Sequence, residues 1–391
     1  MSRLLETIFG RLPIGWLQLI HNRTRLAAAV AGVTFANVLI FMQLGFLGAL
    51  VGSIKLPYDQ MNADIVVSAS DMNTLADGNP IPRQRMFESL SVDGVIDATA
   101  IYYGKLEWRQ PDGTIRTLDV FGVDPAARAF KNPDIDRRLA DLTLLDNALI
   151  DSRTRTVPRA VFDAISVETP LRFEARGRTL NVIDTFTLGG GFAADGYLIV
   201  SDATFLRLFP QRSAGAPNHI FLTLKPEAER TAVTQALART LPSSDTVARP
   251  VGEMVAKDQK FQTTQRPIGV VFGFGIIIGA LVGIIIVYQV LATDVADHLK
   301  EYATFKAIGY RQRFFLGIIF EEAGILAALG FVPGMLLSLA LYALVAKGTG
   351  LPLAMSWERA GAVLVATFAM CTLSGSIATR RLAKANPAEL F

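Results

Sequence analysis

Glu321 and Glu322 are adjacent carboxylates inside a long apolar run. Acids in a membrane-crossing segment point to a proton relay or an ion path, or else to packing and pairing. These two lie about seven or eight residues into the run, roughly 10–12 Å along a helix. That is shallow enough to snorkel, or to pair with Arg311 or Arg313. A relay needs partners deeper in the membrane, and the other apolar runs hold no charge. A structural or coupling role is therefore expected for both. Other chemistry is missing. His21, His219 and His298 are scattered, without HExxH or a Cys/His cluster, so no metal site is expected. No GxSxG elbow and no GxxxxGK[ST] loop occurs. Gly189-Gly190-Gly191 lies in a segment where nucleotide is scarce and reads as a turn rather than a phosphate cradle.

Glu301–Phe315 reads EYATFKAIGYRQRFF, between two of the longest apolar runs. Tyr302, Phe305 and Ile308 recur at the spacing of one helix face, with Lys300, Lys306, Arg311 and Arg313 around them and Gly309 within. A basic, one-faced helix either lies on lipid headgroups or is presented to a partner protein. Composition leaves both readings open.

The elements that must hold these residues are set by hydropathy. The chain has 391 residues, 51% of them hydrophobic and 19% charged, too apolar for an ordinary soluble protein and too charged for a bare membrane bundle. A span needs about 20 mainly apolar residues to cross roughly 30 Å of hydrocarbon. Four stretches qualify: 26–54, 266–292, 314–346 and 360–379. Gly330 and Pro333-Gly334 predict a kink in the third. No cleavable signal peptide is expected ahead of the first.

Arg3, Arg11, Arg23 and Arg25 precede the first span; Lys300, Lys306, Arg311 and Arg313 follow the second; Arg380, Arg381 and Lys384 follow the fourth. The positive-inside rule makes both termini and 293–313 cytoplasmic. Residues 1–25 then form an interfacial helix with Trp16 and Leu19 apolar, 347–359 an outer loop and 380–391 an inner tail. Residues 55–265 are extracytoplasmic, with 24 basic against 27 acidic residues, while the rest of the chain has 14 against 8. The net charge of +3 is thus a topology signal, and nucleic acid is not a partner. Cys371 lies in the fourth span, so the exported part has no disulfide.

The expected fold is an α-helical membrane protein of four transmembrane helices, with a large α+β periplasmic domain between the first and second. Strands are expected over 63–68, on both sides of Pro111-Asp112-Gly113, and within 180–200 around the glycine cluster; 226–241 reads as a helix. Residues 255–266 are polar and would extend the second span outward as a stalk. Gly269, Gly273, Gly275, Gly279 and Gly283 give GxxxG steps that serve packing within the chain or a dimer seam.

VYQVLATDVADHLKEYATFKAIGY, Val287–Tyr310, resembles the loop after the second span of DevC-type permeases, in the superfamily of ATP-binding-cassette membrane subunits with MacB, FtsX and LolC. Glu301 ahead of Lys306-Ala307-Ile308-Gly309 matches its hallmark. FMQLGF (41–46), FTLGGGFAADG (186–196), FLRLFP (205–210), TGLPLAM (349–355) and NPAELF (386–391) extend the resemblance along the chain. An Asp often stands in that branch where this chain has Asn386.

The resemblance implies a homodimeric, non-catalytic permease in the bacterial inner membrane, binding no cofactor. ATP and Mg would be held by a separate cytoplasmic ATPase dimer. A periplasmic membrane-fusion adaptor and a TolC-like outer-membrane channel would complete a tripartite efflux system for a lipophilic or glycolipid-like substrate. Residues 301–315 would be the coupling helix. Tyr302, Phe305 and Ile308 would seat in the ATPase, Lys306, Arg311 and Arg313 would meet acidic rims or phospholipid, and Gly309 would turn the chain. The alternative from the same superfamily is an FtsX-like signalling scaffold that activates a periplasmic enzyme.

Overall fold

The computed structural model describes residues 14–110, 112–298, 304 and 308–384. The chain divides into two compact units. One holds the chain up to Leu47, Val270–Val345 and the chain from Leu353 on; the other holds Gly48–Gly269 with Ala346–Pro352.

The first unit is helical. Helix α1 spans Ile14–His21 and α2 spans Arg23–Gln60. Four helices among the described residues are long and apolar enough to cross a membrane, and α2 is the first of them. Its 38 residues make about 57 Å of helix, well beyond the hydrocarbon thickness. It passes the expected end at Ile54 because Ile54, Leu56 and Tyr58 pack into the core of the sheet domain. Burial, not membrane length, sets where it stops.

In the second unit, β1 (Ile65–Ala69) is followed by α3 (Gln84–Leu90), β2 (Val95–Arg109), β3 (Ile115–Val123), β4 (Asn147–Asp151), β5 (Leu171–Ala175), β6 (Arg178–Phe186) and β7 (Gly196–Ser201). Then come α4 (Asp202–Leu208), β8 (His219–Leu224), α5 (Arg230–Thr240), β9 (Thr246–Pro250) and α6 (Val251–Thr264). The strands form one sheet in the order β5-β6-β4-β7-β3-β2-β8-β1-β9. Pairing is antiparallel except for β3 with β7 and β4 with β6.

Side chains alternate between two covered faces. Phe121 and Val123 of β3 and Tyr197 and Ile199 of β7 enter a core that also takes Tyr58 of α2 and Met254 of α6. Their neighbours Leu118, Val120, Leu198 and Val200 enter the opposite one with Phe205 of α4. Such two-sided burial explains why every residue of β1, β4 and β7 is buried, Asn147 and Asp151 at the ends of β4 included. The hairpin expected around residue 112 joins β2 to β3, with Gly113 at φ +84°. The two strands expected within 180–200 form as β6 and β7, but β4 lies between them.

Helix α7 spans Pro267–Asp297, α8 spans Gln312–Thr349 and α9 spans Trp357–Lys384. The stalk is a correction: α6 ends at Thr264 and a separate helix starts at Pro267, a residue suited to the first helical turn. A Cβ on Gly269 would lie 2.2 Å from the Gln262 carbonyl oxygen, so the break is tightly packed. Two further boundaries move. Helix α7 runs five residues past Ala292, and α8 reaches Thr349, which shortens the loop before α9. Pro333 is carried inside α8, which continues as one helix on both sides of it.

Candidate functional site

Helix α1 packs into the bundle. Leu19 is buried with Ala29 of α2, Val287 and Leu291 of α7, and Ile318 and Ile319 of α8. Gly15 is required there, since a Cβ would lie 2.9 Å from both the Glu322 side chain and the Ile318 carbonyl. The Trp16 N–H donates to Glu321 Oε1 at 3.4 Å.

The two glutamates are therefore not snorkelling. Glu321 and Glu322 are both buried, under α1 and among the helices. Glu322 lies beside Asp294, an acid near the end of α7 that is itself buried. The Arg313 side chain, one of the two expected partners, lies outside the described residues. A cation described at this cluster is Arg25, whose Nη1 is 3.3 Å from Asp294 Oδ1 and whose Nη2 meets Asp297. His298 adds a ring nitrogen 3.7 Å from the same Asp294 carboxylate.

The cluster gathers α1, the first turn of α2, the last turns of α7 and the early turns of α8 at one end of the bundle. Asp294 was hidden in the sequence because the apolar run stops at Ala292. The helix itself does not stop there, because Arg25 covers the charges that follow.

Of the expected coupling residues, Glu301, Tyr302, Phe305, Lys306 and Ala307 lie outside the described residues. Ile308 is exposed, and its N–H donates to the Thr304 carbonyl at 3.1 Å, one helical turn back. Gly309 stands at φ +105°, where a side chain would be strained, three residues before α8 begins at Gln312. Arg311 is exposed there, and Arg313 lies in the first turn of α8. The Tyr310 and Phe314 rings pack at 4.6 Å between centroids.

The glycines of α7 divide by face. A Cβ on Gly275 would strike Gln43, one on Gly279 would meet Ile40 at 3.0 Å, and one on Gly283 would meet Ala36 at 3.0 Å. These three seat α7 against α2 within the chain. Gly273 has nothing within 4 Å, and Gly269 packs on the end of α6. In α8, Gly330 and Gly334 likewise face Val33 and Asn37 of α2. Asn37, unnoticed in the sequence, accepts a 2.6 Å hydrogen bond from Thr367 of α9 inside the bundle. The glycine cluster of the sheet domain is structural: the Leu188 and Gly189 N–H groups donate to buried Asp151 at 2.9 and 2.7 Å. A phosphate would need those same donors.

Residues 273–387 match the family described as FtsX-like permease C-terminal. The match takes in α7 from Gly273 on, the joining segment, α8 and all of α9. The chain carries an FtsX-like permease domain. That stretch is 115 of the 391 residues, less than a third of the chain. No curated protein sequence matches the permease.

Among solved structures, the permease is similar to the periplasmic region of MacB from Actinobacillus actinomycetemcomitans, at 10% identity and TM-score 0.34, over 50% of this chain and 92% of that one. It is also similar to the extracellular domain of the noncanonic ABC-type transporter YknZ from Gram-positive bacteria, at 12% identity and TM-score 0.32, covering 48% and 98%. A domain of a putative permease from Porphyromonas gingivalis matches at 13% identity and TM-score 0.31, covering 49% and 91%.

Proposed function

We propose that this permease is the membrane subunit of a MacB-like tripartite exporter, with no catalytic role of its own. It would work as a homodimer on a cytoplasmic ATPase dimer that binds ATP and Mg. Outside, a membrane-fusion adaptor and a TolC-like channel would receive a lipophilic or glycolipid-like substrate. Both termini and the 293–313 segment are cytoplasmic in this reading, and the sheet domain is periplasmic.

The observation that carries the proposal is the continuity of α2 from Arg23 to Gln60. Its first turn holds Arg25 against Asp294 and Asp297. Its last turns hold Tyr58, whose hydroxyl donates to Asp258 of α6 at 3.1 Å. A push on the segment after α7 would pass through the Arg25 pairs into a stiff rod that ends inside the sheet domain. A flexible connection would absorb such a stroke.

The test is a double substitution, Phe305→Asp with Ile308→Asp. It is expected to abolish stimulation of the partner ATPase while membrane insertion stays normal. Unchanged coupling would refute the assignment of the segment. The signalling alternative uses the same rod but moves nothing, so substrate transport by reconstituted complexes separates the two.

A further inference from the structure

A cavity of about 540 Å³ lies in the sheet domain, within the roughly 300–1,000 Å³ typical of small-molecule sites. One wall is apolar: Leu50, Ile54 and Pro57 of α2, Phe192 beyond the glycine cluster, and Ile268 at the start of α7. The polar lining holds three carboxylates and two cations. Lys105 Nζ is 3.9 Å from Asp119 Oδ1, and Arg266 Nη2 is 3.9 Å from Asp77 Oδ2. Asp119 also accepts from the Tyr103 hydroxyl at 2.6 Å.

Asp258 is the third acid, and no cation faces it among the described residues. It is only 3% exposed. Oδ2 accepts from the Tyr58 hydroxyl at 3.1 Å and the Leu75 N–H at 3.0 Å, and the Gln262 side chain one turn along α6 also favours the charged form, whereas Oδ1 makes no hydrogen bond of regular geometry. Burial pushes this carboxyl up to about 6, with the Asp77 charge adding to the shift, so at neutral pH it is charged in surroundings that disfavour charge. An orphaned buried carboxylate oxygen costs free energy until a donor, and best a cation, reaches it.

We propose that this cavity binds a single-tailed amphiphile with a primary ammonium headgroup, the ammonium on Asp258 Oδ1 and the tail along Leu50, Ile54 and Phe192. Two carboxylates already have cations and one does not, so a single positive charge completes the set. Tyr103 and Tyr197 line the same cavity. The proposal rests on the export reading and gives it a substrate class.

The test uses the full chain in phosphatidylcholine nanodiscs without any ATPase. The probe is hexadecylamine carrying a diazirine on its chain, and hexadecanol with the same diazirine is the neutral counterpart. Mass spectrometry is expected to find the amine on peptides containing Leu50–Pro57 or Phe192, at least tenfold above the alcohol. Asp258→Asn should reduce that labelling at least fivefold. Ala193→Trp, an exposed position at the cavity, should do the same by filling the space while leaving Asp258 untouched. If Asp258→Asn fails to fold, the Ala193→Trp result decides alone. Equal labelling by amine and alcohol, or labelling that survives Ala193→Trp, would overturn the proposal. Lost labelling alongside intact ATPase coupling would sink only the cavity, and the converse would sink only the transmission reading.

Discussion

Gly283 sits against Ala36 and Met370, and Gly273 faces open space, although both belong to one run of small residues. The two therefore respond differently to substitution. Gly283→Ile forces side chains into a close helix contact and is expected to destabilise the bundle by about 1–3 kcal/mol. Gly273→Ala meets no neighbour and should stabilise by about 0.5–1 kcal/mol through helix propensity. Thermal unfolding of both variants in the same lipid checks this, and equal losses would contradict the face assignment. The GxxxG spacing was legible in the sequence, but spacing names a helix face and not the helix opposite it. Asp294 was illegible for a related reason, since hydropathy marks where apolar residues end and not where hydrogen bonding ends. The glutamates were seen at once and misplaced, because nothing in the local sequence shows that α1 folds over them.

At the scale of elements, the segment between β1 and α3 is pinned at one residue, Leu75, from two sides. His219 of β8 donates from Nε2 to the Leu75 carbonyl at 2.9 Å, which fixes its tautomer, and Asp258 of α6 accepts from the Leu75 N–H. Burial pushes the imidazole down to about 4 and the Asp258 carboxyl up to about 6. The signs are opposite. The unfolded chain takes up a proton on His219 near pH 6.5 and the folded one does not, so this residue loses stability as pH falls from 6.5 to 4. Asp258 binds its proton more tightly when folded, so it gains stability as pH falls from 6 towards 3.8. Across pH 4–6 the two slopes offset each other. Asp258→Asn should unmask an acid loss of up to roughly 3 kcal/mol for the sheet domain. His219→Gln should turn the slope so that stability rises towards acid. Unfolding followed through buried Trp108 at stepped pH reads both, and parallel profiles would contradict the pairing. Strands β1, β2, β3, β6 and β7 were visible as apolar runs and a turn, whereas β4, β5, β8, β9 and the order of the sheet were not. The insertion of β4 between β6 and β7 is a long-range pairing that no local pattern encodes.

For the whole molecule, the four spans and the sheet domain between the first two followed from hydropathy and length alone. The continuity of α2 did not, because Lys55, Pro57 and Asp59 read locally as the end of a helix. They continue it because the neighbouring Tyr58 is buried in the sheet-domain core. Under the proposed function, that continuity would carry force along α2. The most direct measurement is a spin-label distance between the two copies in the assembled complex. The label goes on Leu144→Cys, an exposed site of the sheet domain, in a background with buried Cys371 replaced by Ala. ATP binding to the partner subunit is expected to shift the Leu144 distance distribution, and Phe305→Asp with Ile308→Asp to abolish that shift while ATP still binds. A distribution indifferent to ATP, or one that shifts equally in the double variant, would contradict transmission through the segment and the α2 rod.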